Sequence, residues 1–312
     1  MSLLSLIIPS YNEEENIDNT VSVLTEVMAG TDTDYELIFV NDGSKDKTFD
    51  KISEAAKKDG RVKGISFSRN FGKEAAIFAG MEVSSGDAVI VLDCDLQHPP
   101  TLIPDMLKLW REGYEVVEGV KSSRGKEGVL HKLCANMFYS VMSKLIKMDM
   151  RSTSDYKLLD RKVVNVLLDL TERNTFFRAL TFWVGFKSTK IEYEVAERQF
   201  GTTKWSIKSL MKYAINNATS FSTLPLQLVT FMGTVSVIVA VVLGIETLVK
   251  YFMGTAAEGF PTVILLELFI GGFIMLSLGI IGHYIARIYE EVKGRPRYII
   301  RDFTDENMRS MR

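Results

Sequence analysis

Apolar and polar positions along the first 120 residues alternate in a regular rhythm. Short β-rich apolar runs, Leu3 to Pro9, Tyr35 to Asn41, Val62 to Ser68, Ala88 to Asp93 and Glu115 to Val120, are separated by helical patterns. This alternation predicts an α/β domain on a mostly parallel sheet. The run Ala88-Val89-Ile90-Val91-Leu92 has no polar alternation, as expected of a central strand covered on both faces. Ligands of such sheets bind beyond the carboxyl ends of the strands. Polar clusters fall at those positions: Tyr11-Asn12-Glu13, Asn41-Asp42-Gly43-Ser44, Arg69-Asn70-Phe71-Gly72-Lys73 and Asp93-Cys94-Asp95. Four loops are therefore expected to converge on one rim.

The pattern changes in the last third of the chain. Between Ser206 and Phe221 the residues Ile207, Leu210, Met211, Ala214, Ile215 and Ala218 recur at three-and-four spacing, with Lys208, Lys212 and Asn216 on the other side. That is an amphipathic helix, suited to a membrane interface with its lysines toward anionic headgroups; the alternative is packing on the soluble domain. Leu224 to Val249 and Thr262 to Ile285 carry almost no charge and have the length of bilayer spans. The layout expected is an α/β domain over 1–205, an interfacial helix over 206–222, a two-span membrane domain over 223–290 and a tail over 291–312.

Charges near the spans orient them. Lys204, Lys208 and Lys212 precede the first, and Arg287, Lys293, Arg295, Arg297 and Arg301 follow the second, while the connection from Lys250 to Pro261 holds one lysine and one glutamate. The positive-inside rule then places both termini and the α/β domain in the cytoplasm. Glu246 and Glu267 fall near the outer ends of their spans, where partial hydration makes a carboxylate tolerable.

Composition adds exclusions. A net charge of -2 and the lack of a basic stripe interleaved with aromatics argue against a nucleic-acid partner. The two cysteines, Cys94 and Cys134, lack CxxC spacing, so neither a disulfide framework nor a zinc site is expected. The opening MSLLSLIIPSYNEEE has no basic n-region or cleavage site and reads as a buried strand rather than a signal peptide.

The sharpest chemical signal is Asp93-Cys94-Asp95-Leu96-Gln97-His98-Pro99-Pro100. In an extended segment, residues two apart face the same way, so both carboxylates could converge on one cation. Oxygen donors favour Mg²⁺ or Mn²⁺, which typically share one or two carboxylates with substrate phosphates. Asp42 sits where a strand runs into a turn; with Pro9, Tyr11, Asn12 and Glu13 at the neighbouring strand end, and Lys73 after the third strand, it outlines a nucleotide pocket. Asp155, in Ser152-Thr153-Ser154-Asp155-Tyr156, is either a loop cap or a reacting group. Arg124, Arg198 and Lys204 suit phosphate binding, the last two lying just before the interfacial helix, with plain attraction to a membrane surface as the alternative.

Together the segments SLIIPSYNEEENI, VNDGSKDKT, SRNFGKEAA, LDCDLQHPP, SDYKLLDRK, RQFGTTKW and IGHYIARIYEEVKGRPRYII resemble the family 2 glycosyltransferases with a GT-A (Rossmann-like) domain, specifically the polyisoprenyl-phosphate glycosyltransferases of the bacterial GtrB type. The match runs from about Leu3 to Ile300. It implies that Pro9, Tyr11, Glu13 and Asp42 hold the nucleotide, that Asp95 binds the metal and that Asp155 is the candidate catalytic base. Related enzymes transfer glucose from UDP-glucose to undecaprenyl phosphate for O-antigen or cell-surface modification. Many relatives have aspartate where this chain has His98, and the family's G-x-S-K is Gly201-Thr202-Thr203-Lys204 here.

The resemblance thus implies a UDP-sugar donor, a polyprenyl (undecaprenyl) phosphate acceptor, a lipid bilayer and inversion at the anomeric carbon; it leaves homo-oligomerisation open. A phosphate monoester with a second pKa of about 6 is largely ionised at neutral pH, so Asp155 is expected mainly to orient the acceptor. Three other readings compete with it: a non-catalytic nucleotide-sugar sensor, a small transporter, and a processive polysaccharide synthase, whose Q-x-x-R-W signature is missing.

Overall fold

A computed structural model describes residues 2–121, 153–172, 176–193, 224–254 and 259–305. The chain divides into two compact units, Met1–Ser206 with Arg295–Arg312, and Ile207–Gly294.

The first unit contains β1 (Leu3–Ser10), α1 (Ile17–Ala29), β2 (Asp34–Asn41), α2 (Thr48–Lys58), β3 (Val62–Phe67), α3 (Lys73–Glu82), β4 (Ala88–Val91), α4 (Ile103–Arg111), β5 (Val116–Lys121), β6 (Lys157–Asp160), α5 (Arg161–Asp169), α6 (Phe177–Trp183), β7 (Ser188–Tyr193) and β8 (Ile300–Phe303). Among the described residues the strands form one eight-stranded sheet in the order β7-β5-β6-β4-β1-β2-β3-β8. Strands β3, β2, β1 and β4 run parallel, as does β5 with β7, whereas β6 is antiparallel to both neighbours and β8 to β3. The expected α/β sheet is present and mostly parallel.

Its core follows from the apolar runs. Leu4, Leu6, Ile7 and Ile8 of β1 and Ala88, Val89, Ile90 and Val91 of β4 are fully buried, each large side chain contributing roughly 1.5–3 kcal/mol. Helix α1 buries Ile17, Thr20, Leu24 and Met28, a three-and-four stripe laid on the sheet. Helix α3 can approach β1 because it is rich in small residues: a Cβ on Gly80 would stand 2.4 Å from Ile7 Cγ2.

Strands β6, β7 and β8 were not expected from the sequence pattern. Strand β8 comes from the expected tail: after the second long helix the chain returns, pairs Ile65 with Phe303, and stacks Tyr298 on Phe67 with ring centroids 5.1 Å apart. Tyr298 also donates from its hydroxyl to Glu82, and Arg297 donates to the Leu170 carbonyl.

The second unit contributes α7 (Leu224–Phe252) and α8 (Phe260–Val292). Both are long and apolar enough to cross a membrane, with spans Leu226–Phe252 and Phe269–Val292, and none of their most apolar windows is buried. Each helix runs past the span expected from hydropathy. Glu246 is paired one turn on with Lys250 at 2.6 Å, rather than relying on hydration alone. The expected interfacial helix lies outside the described residues.

Candidate functional site

Parallel pairing of β1 with β2 and β4, and of β2 with β3, brings four loops to one rim, as the pattern of polar clusters required. The loops after β1 and β2 are laced together. Asn12, with φ of 55°, donates its backbone N–H to Ser44 Oγ at 2.9 Å and accepts from Lys45 N at 2.9 Å. Glu13 N–H donates to Thr48 Oγ1, and the Glu13 carboxylate accepts from Asn16 Nδ2. Tyr11 projects from this platform, 42% exposed, beside the carboxyl end of β1 where Pro9 pairs with Val40.

Asp42 ties the second loop to the third. Its two oxygens accept the backbone N–H groups of Phe71 at 2.6 Å and Gly72 at 3.0 Å. Burial raises its pKa while those two bonds oppose the rise. Gly43 is required at this junction: φ is 64° and a Cβ would fall 2.3 Å from the Arg69 carbonyl carbon. Asp42 therefore shapes the pocket through the loop that leads to Lys73.

The Asp93–Asp95 segment departs from the expected extended geometry. Strand β4 ends at Val91, and Leu96 N–H donates to the Asp93 carbonyl at 3.3 Å, closing a turn in which Leu96 takes φ of 53°. Cys94 is buried within this segment, its carbonyl accepts from Thr20 Oγ1, and the partly exposed Asp93 and Asp95 flank it in sequence. Asp95 Oδ1 accepts from Gln97 N–H at 3.2 Å. Glu13 is near enough that, after burial, the charges of Asp95 and Asp93 raise its pKa.

Antiparallel β6 brings Asp155 to the same rim. Val91 of β4 pairs with Lys157 of β6, so Asp93 and Asp155 each lie two residues beyond the last pair, one on the way out of the sheet and one on the way in. The backbone there is fixed from below. Ser154 N–H donates to Glu118 Oε1, Tyr156 N–H to Ser154 Oγ, and the Tyr156 hydroxyl to the Pro99 carbonyl. Beneath them, Lys157 Nζ reaches Glu118 at 3.2 Å and Thr181 Oγ1 at 2.8 Å.

Asp155 itself is 8% exposed and gripped by two cations. Arg178 donates from Nε to Oδ1 at 2.6 Å and from Nη2 to Oδ2 at 2.8 Å; Lys73 Nζ donates to Oδ2 at 2.9 Å. Against the effect of burial, Lys73 and Arg178 hold the Asp155 pKa well below the usual carboxylate range. Lys73 also lies 2.5 Å from Asp93 Oδ1, so one ammonium bridges two carboxylates. Glu74, next along α3, accepts Phe177 N–H at 2.9 Å; burial and then the charge of Asp155 raise its pKa to about 7.

Motif reasoning missed Arg178 and Glu74. The available signal was an arginine inside the apolar run Phe176-Phe177-Arg178-Ala179-Leu180, where a cation needs an anionic partner. His98 is 6% exposed and stacks on Tyr156, with centroids 5.0 Å apart and planes 9° apart. Its Nδ1 has no hydrogen-bond partner and stands 3.8 Å from Asp93 Oδ2. Burial lowers its pKa, so a neutral ring replaces the third acidic group that many relatives carry. Arg124, Arg198 and Lys204 lie outside the described residues.

The donor chemistry suits a hard divalent cation. Asp95 and Asp93 offer carboxylate oxygens within electrostatic reach of Glu13. Among the described residues, however, no three His, Cys, Asp or Glu side chains close into a ligand set. Two carboxylates make a weak site for a divalent ion by themselves, and donor phosphates would strengthen it, the usual arrangement for Mg²⁺.

The profile of the family described as Glycosyl transferase family 2 matches residues 5–179, which spans every element of this rim. The chain belongs to glycosyl transferase family 2. Its relatives match far beyond the catalytic domain. This glycosyltransferase is 43% identical to the uncharacterized glycosyltransferase YkcC of Bacillus subtilis (strain 168), over 99% of this chain and 96% of that one. It is 38% identical to the prophage bactoprenol glucosyl transferase homolog of Escherichia coli (strain K12), over 96% and 98%. The resemblance drawn from the motifs, to GtrB-type family 2 glycosyltransferases, holds along nearly the whole chain. Among solved structures, glucosyl-3-phosphoglycerate synthase of Mycobacterium tuberculosis, with Mn²⁺, uridine diphosphate and phosphoglyceric acid, superposes with a TM-score of 0.50 at 19% identity, covering 70% of this chain and 76% of that one. The shared feature is the GT-A fold of the catalytic domain.

Proposed function

We propose that this glycosyltransferase transfers glucose from UDP-glucose to undecaprenyl or a similar polyprenyl phosphate, with inversion, at the cytoplasmic face of a bacterial inner membrane. The observation that carries this reading is the 38% identity, end to end and through both long apolar helices, to bactoprenol glucosyl transferases such as that of Shigella phage SfII.

The chemistry joins two anions. An oxygen of the lipid phosphate forms a bond to the anomeric carbon, the bond from that carbon to the donor's β-phosphate oxygen breaks, and uridine diphosphate departs with the electron pair. Charge repulsion between acceptor and donor is the main obstacle. Tyr11, Asn12, Glu13 and the Asp42-shaped loop hold the nucleotide, with Pro9 ending the strand beneath them. A divalent cation held by Asp95, with Asp93 and donor phosphates, would offset the charge that develops on the leaving diphosphate. Lys73 supplies positive charge at the rim, and Arg124, Arg198 and Lys204 receive the lipid phosphate.

Asp155 acts by position. A proton acceptor needs a pKa near the working pH, whereas Lys73 and Arg178 hold this carboxylate ionised far below it. The incoming phosphate is itself mostly ionised, with a second pKa of about 6. Asp155 thus keeps two cations in register for the phosphates instead of removing a proton.

The two long helices serve proximity, since a tethered active site searches for its lipid in two dimensions. The test is release of uridine diphosphate by purified full-length protein supplied with each of several UDP-hexoses and a divalent cation. Release with UDP-glucose only when polyprenyl phosphate is present supports the assignment. Release with water alone, or preference for another sugar, contradicts it.

A further inference from the structure

Lys73 serves two carboxylates at once. Its Nζ lies 2.5 Å from Asp93 Oδ1 and 2.9 Å from Asp155 Oδ2, and 39% of its side chain is exposed. Asp155 does not depend on it, because Arg178 reaches both Asp155 oxygens. Asp93 does: among the described residues the other basic group paired with it, His98 Nδ1, stands at 3.8 Å, beyond hydrogen-bond distance.

We propose that Lys73 is a resident counter-cation that occupies Asp93 in the unliganded enzyme, competes there with the divalent ion, and passes, still tethered to Asp155, to the anionic donor when Asp93 is given up. The inference rests on reading Asp93 and Asp95 as the cation-binding pair, but on neither the sugar nor the lipid.

Two features support it. Glu13, Asp93, Asp95 and Asp155 gather acidic groups around one rim, with Asp95 and Asp93 both acting on Glu13 and Asp155 acting on Asp93. Such a set repels itself until a cation is present. The two cations on Asp155 also differ in mobility: Arg178 is a planar fork fixed by two bonds, whereas Lys73 is a point charge on a flexible four-carbon stem. Arg178 therefore stays, and Lys73 is the group that can swing by the few Å from carboxylate to phosphate.

This role has an unusual signature, because removing the Lys73 charge should strengthen divalent binding while weakening transfer. A lysine that only supported the fold would weaken both, and one that only met the diphosphate would leave metal affinity unchanged. The experiment titrates Mn²⁺ without nucleotide into full-length wild type, Lys73→Met, Lys73→Gln, Lys73→Arg and Asp95→Asn, following the free-ion signal by electron paramagnetic resonance. Lys73→Met and Lys73→Gln are expected to bind Mn²⁺ about tenfold more tightly than wild type, the scale of one unit charge removed close to a partly solvated site. Lys73→Arg, which keeps the charge, should stay close to wild type, and Asp95→Asn should lose binding.

Lys73→Gln keeps hydrogen-bond donors toward both carboxylates, so it decides the matter if Lys73→Met does not fold. Equal or weaker Mn²⁺ binding by the folded charge-removed variants overturns the counter-cation role alone, leaving the cation site intact. Failure of all five proteins to bind Mn²⁺ overturns the cation site as well.

Discussion

Arg178 grips Asp155 with a two-pronged bond, Nε to Oδ1 at 2.6 Å and Nη2 to Oδ2 at 2.8 Å. The pair joins α6 to the residue leading into β6, and so fixes the carboxylate at the edge of the rim. The depressed pKa of Asp155 means that it is ionised at every pH above its ordinary value of about 3.9; its stabilising contribution is complete there and is lost only as pH falls through the lower folded value.

Asp155→Asn should therefore cut transfer about a hundredfold, the scale of a misplaced reacting group. The loss should be equal at about pH 6.5 and about pH 8.5, since no proton removal is being replaced. Initial rates across that range check it. Recovery at the higher pH would identify Asp155 as a base.

Arg178→Lys keeps the charge but loses the planar fork, so it should not restore function. We expect a fall in kcat of roughly tenfold or more with little change in the KM for the donor, because the geometry rather than the charge of the clamp is lost. Steady-state kinetics in detergent or nanodiscs would show it, and wild-type kcat in Arg178→Lys would refute it.

Glu74 offers a stability readout. Its pKa is raised from 4.5 to about 7, so the folded state prefers it protonated. Its favourable contribution is complete below the unfolded value and disappears as pH rises through about 7. Glu74→Gln can still accept Phe177 N–H, and should match wild type near pH 5 yet melt about 2–4 °C higher near pH 8, the worth of about 1 kcal/mol after allowing for partial exposure. Thermal melts at the two pH values test this, and an equal shift at both would contradict it.

The returning strand should matter to the catalytic unit. Tyr298 is 5% exposed, stacked on Phe67 and bonded to Glu82. Tyr298→Ala should cost about 3 kcal/mol or more, as truncation of a buried aromatic side chain does. Chemical unfolding would measure it, and a change below about 0.5 kcal/mol, typical of surface sites, would contradict the packing.

The parallel half of the sheet and its four loops were legible because strands β1 to β4 are apolar runs punctuated by turn residues. Strand β6 was not: Lys157-Leu158-Leu159-Asp160 is four residues long, and only pairing with Val91 through Ala88 makes it a strand. Strand β8 was hidden for a related reason. Its Ile300-Arg301-Asp302-Phe303 resembles a basic tail until Ile65 and Phe67 supply an edge. The Asp93–Asp95 pair was expected in an extended segment, whereas a turn anchored by buried Cys94 follows β4. The arginine in its apolar run signalled a buried cation, but its partner could not be read, because Asp155 lies 23 residues away and no local motif contains both.

The central claim is that a polyprenyl phosphate accepts glucose here. Its most direct measurement is mass spectrometry of the lipid recovered after the full-length protein is incubated with UDP-glucose, undecaprenyl phosphate and Mn²⁺ or Mg²⁺. The account predicts undecaprenyl phosphate carrying one hexose, absent when the divalent ion is chelated. Unmodified lipid under every divalent condition, from protein shown to be folded, would contradict it.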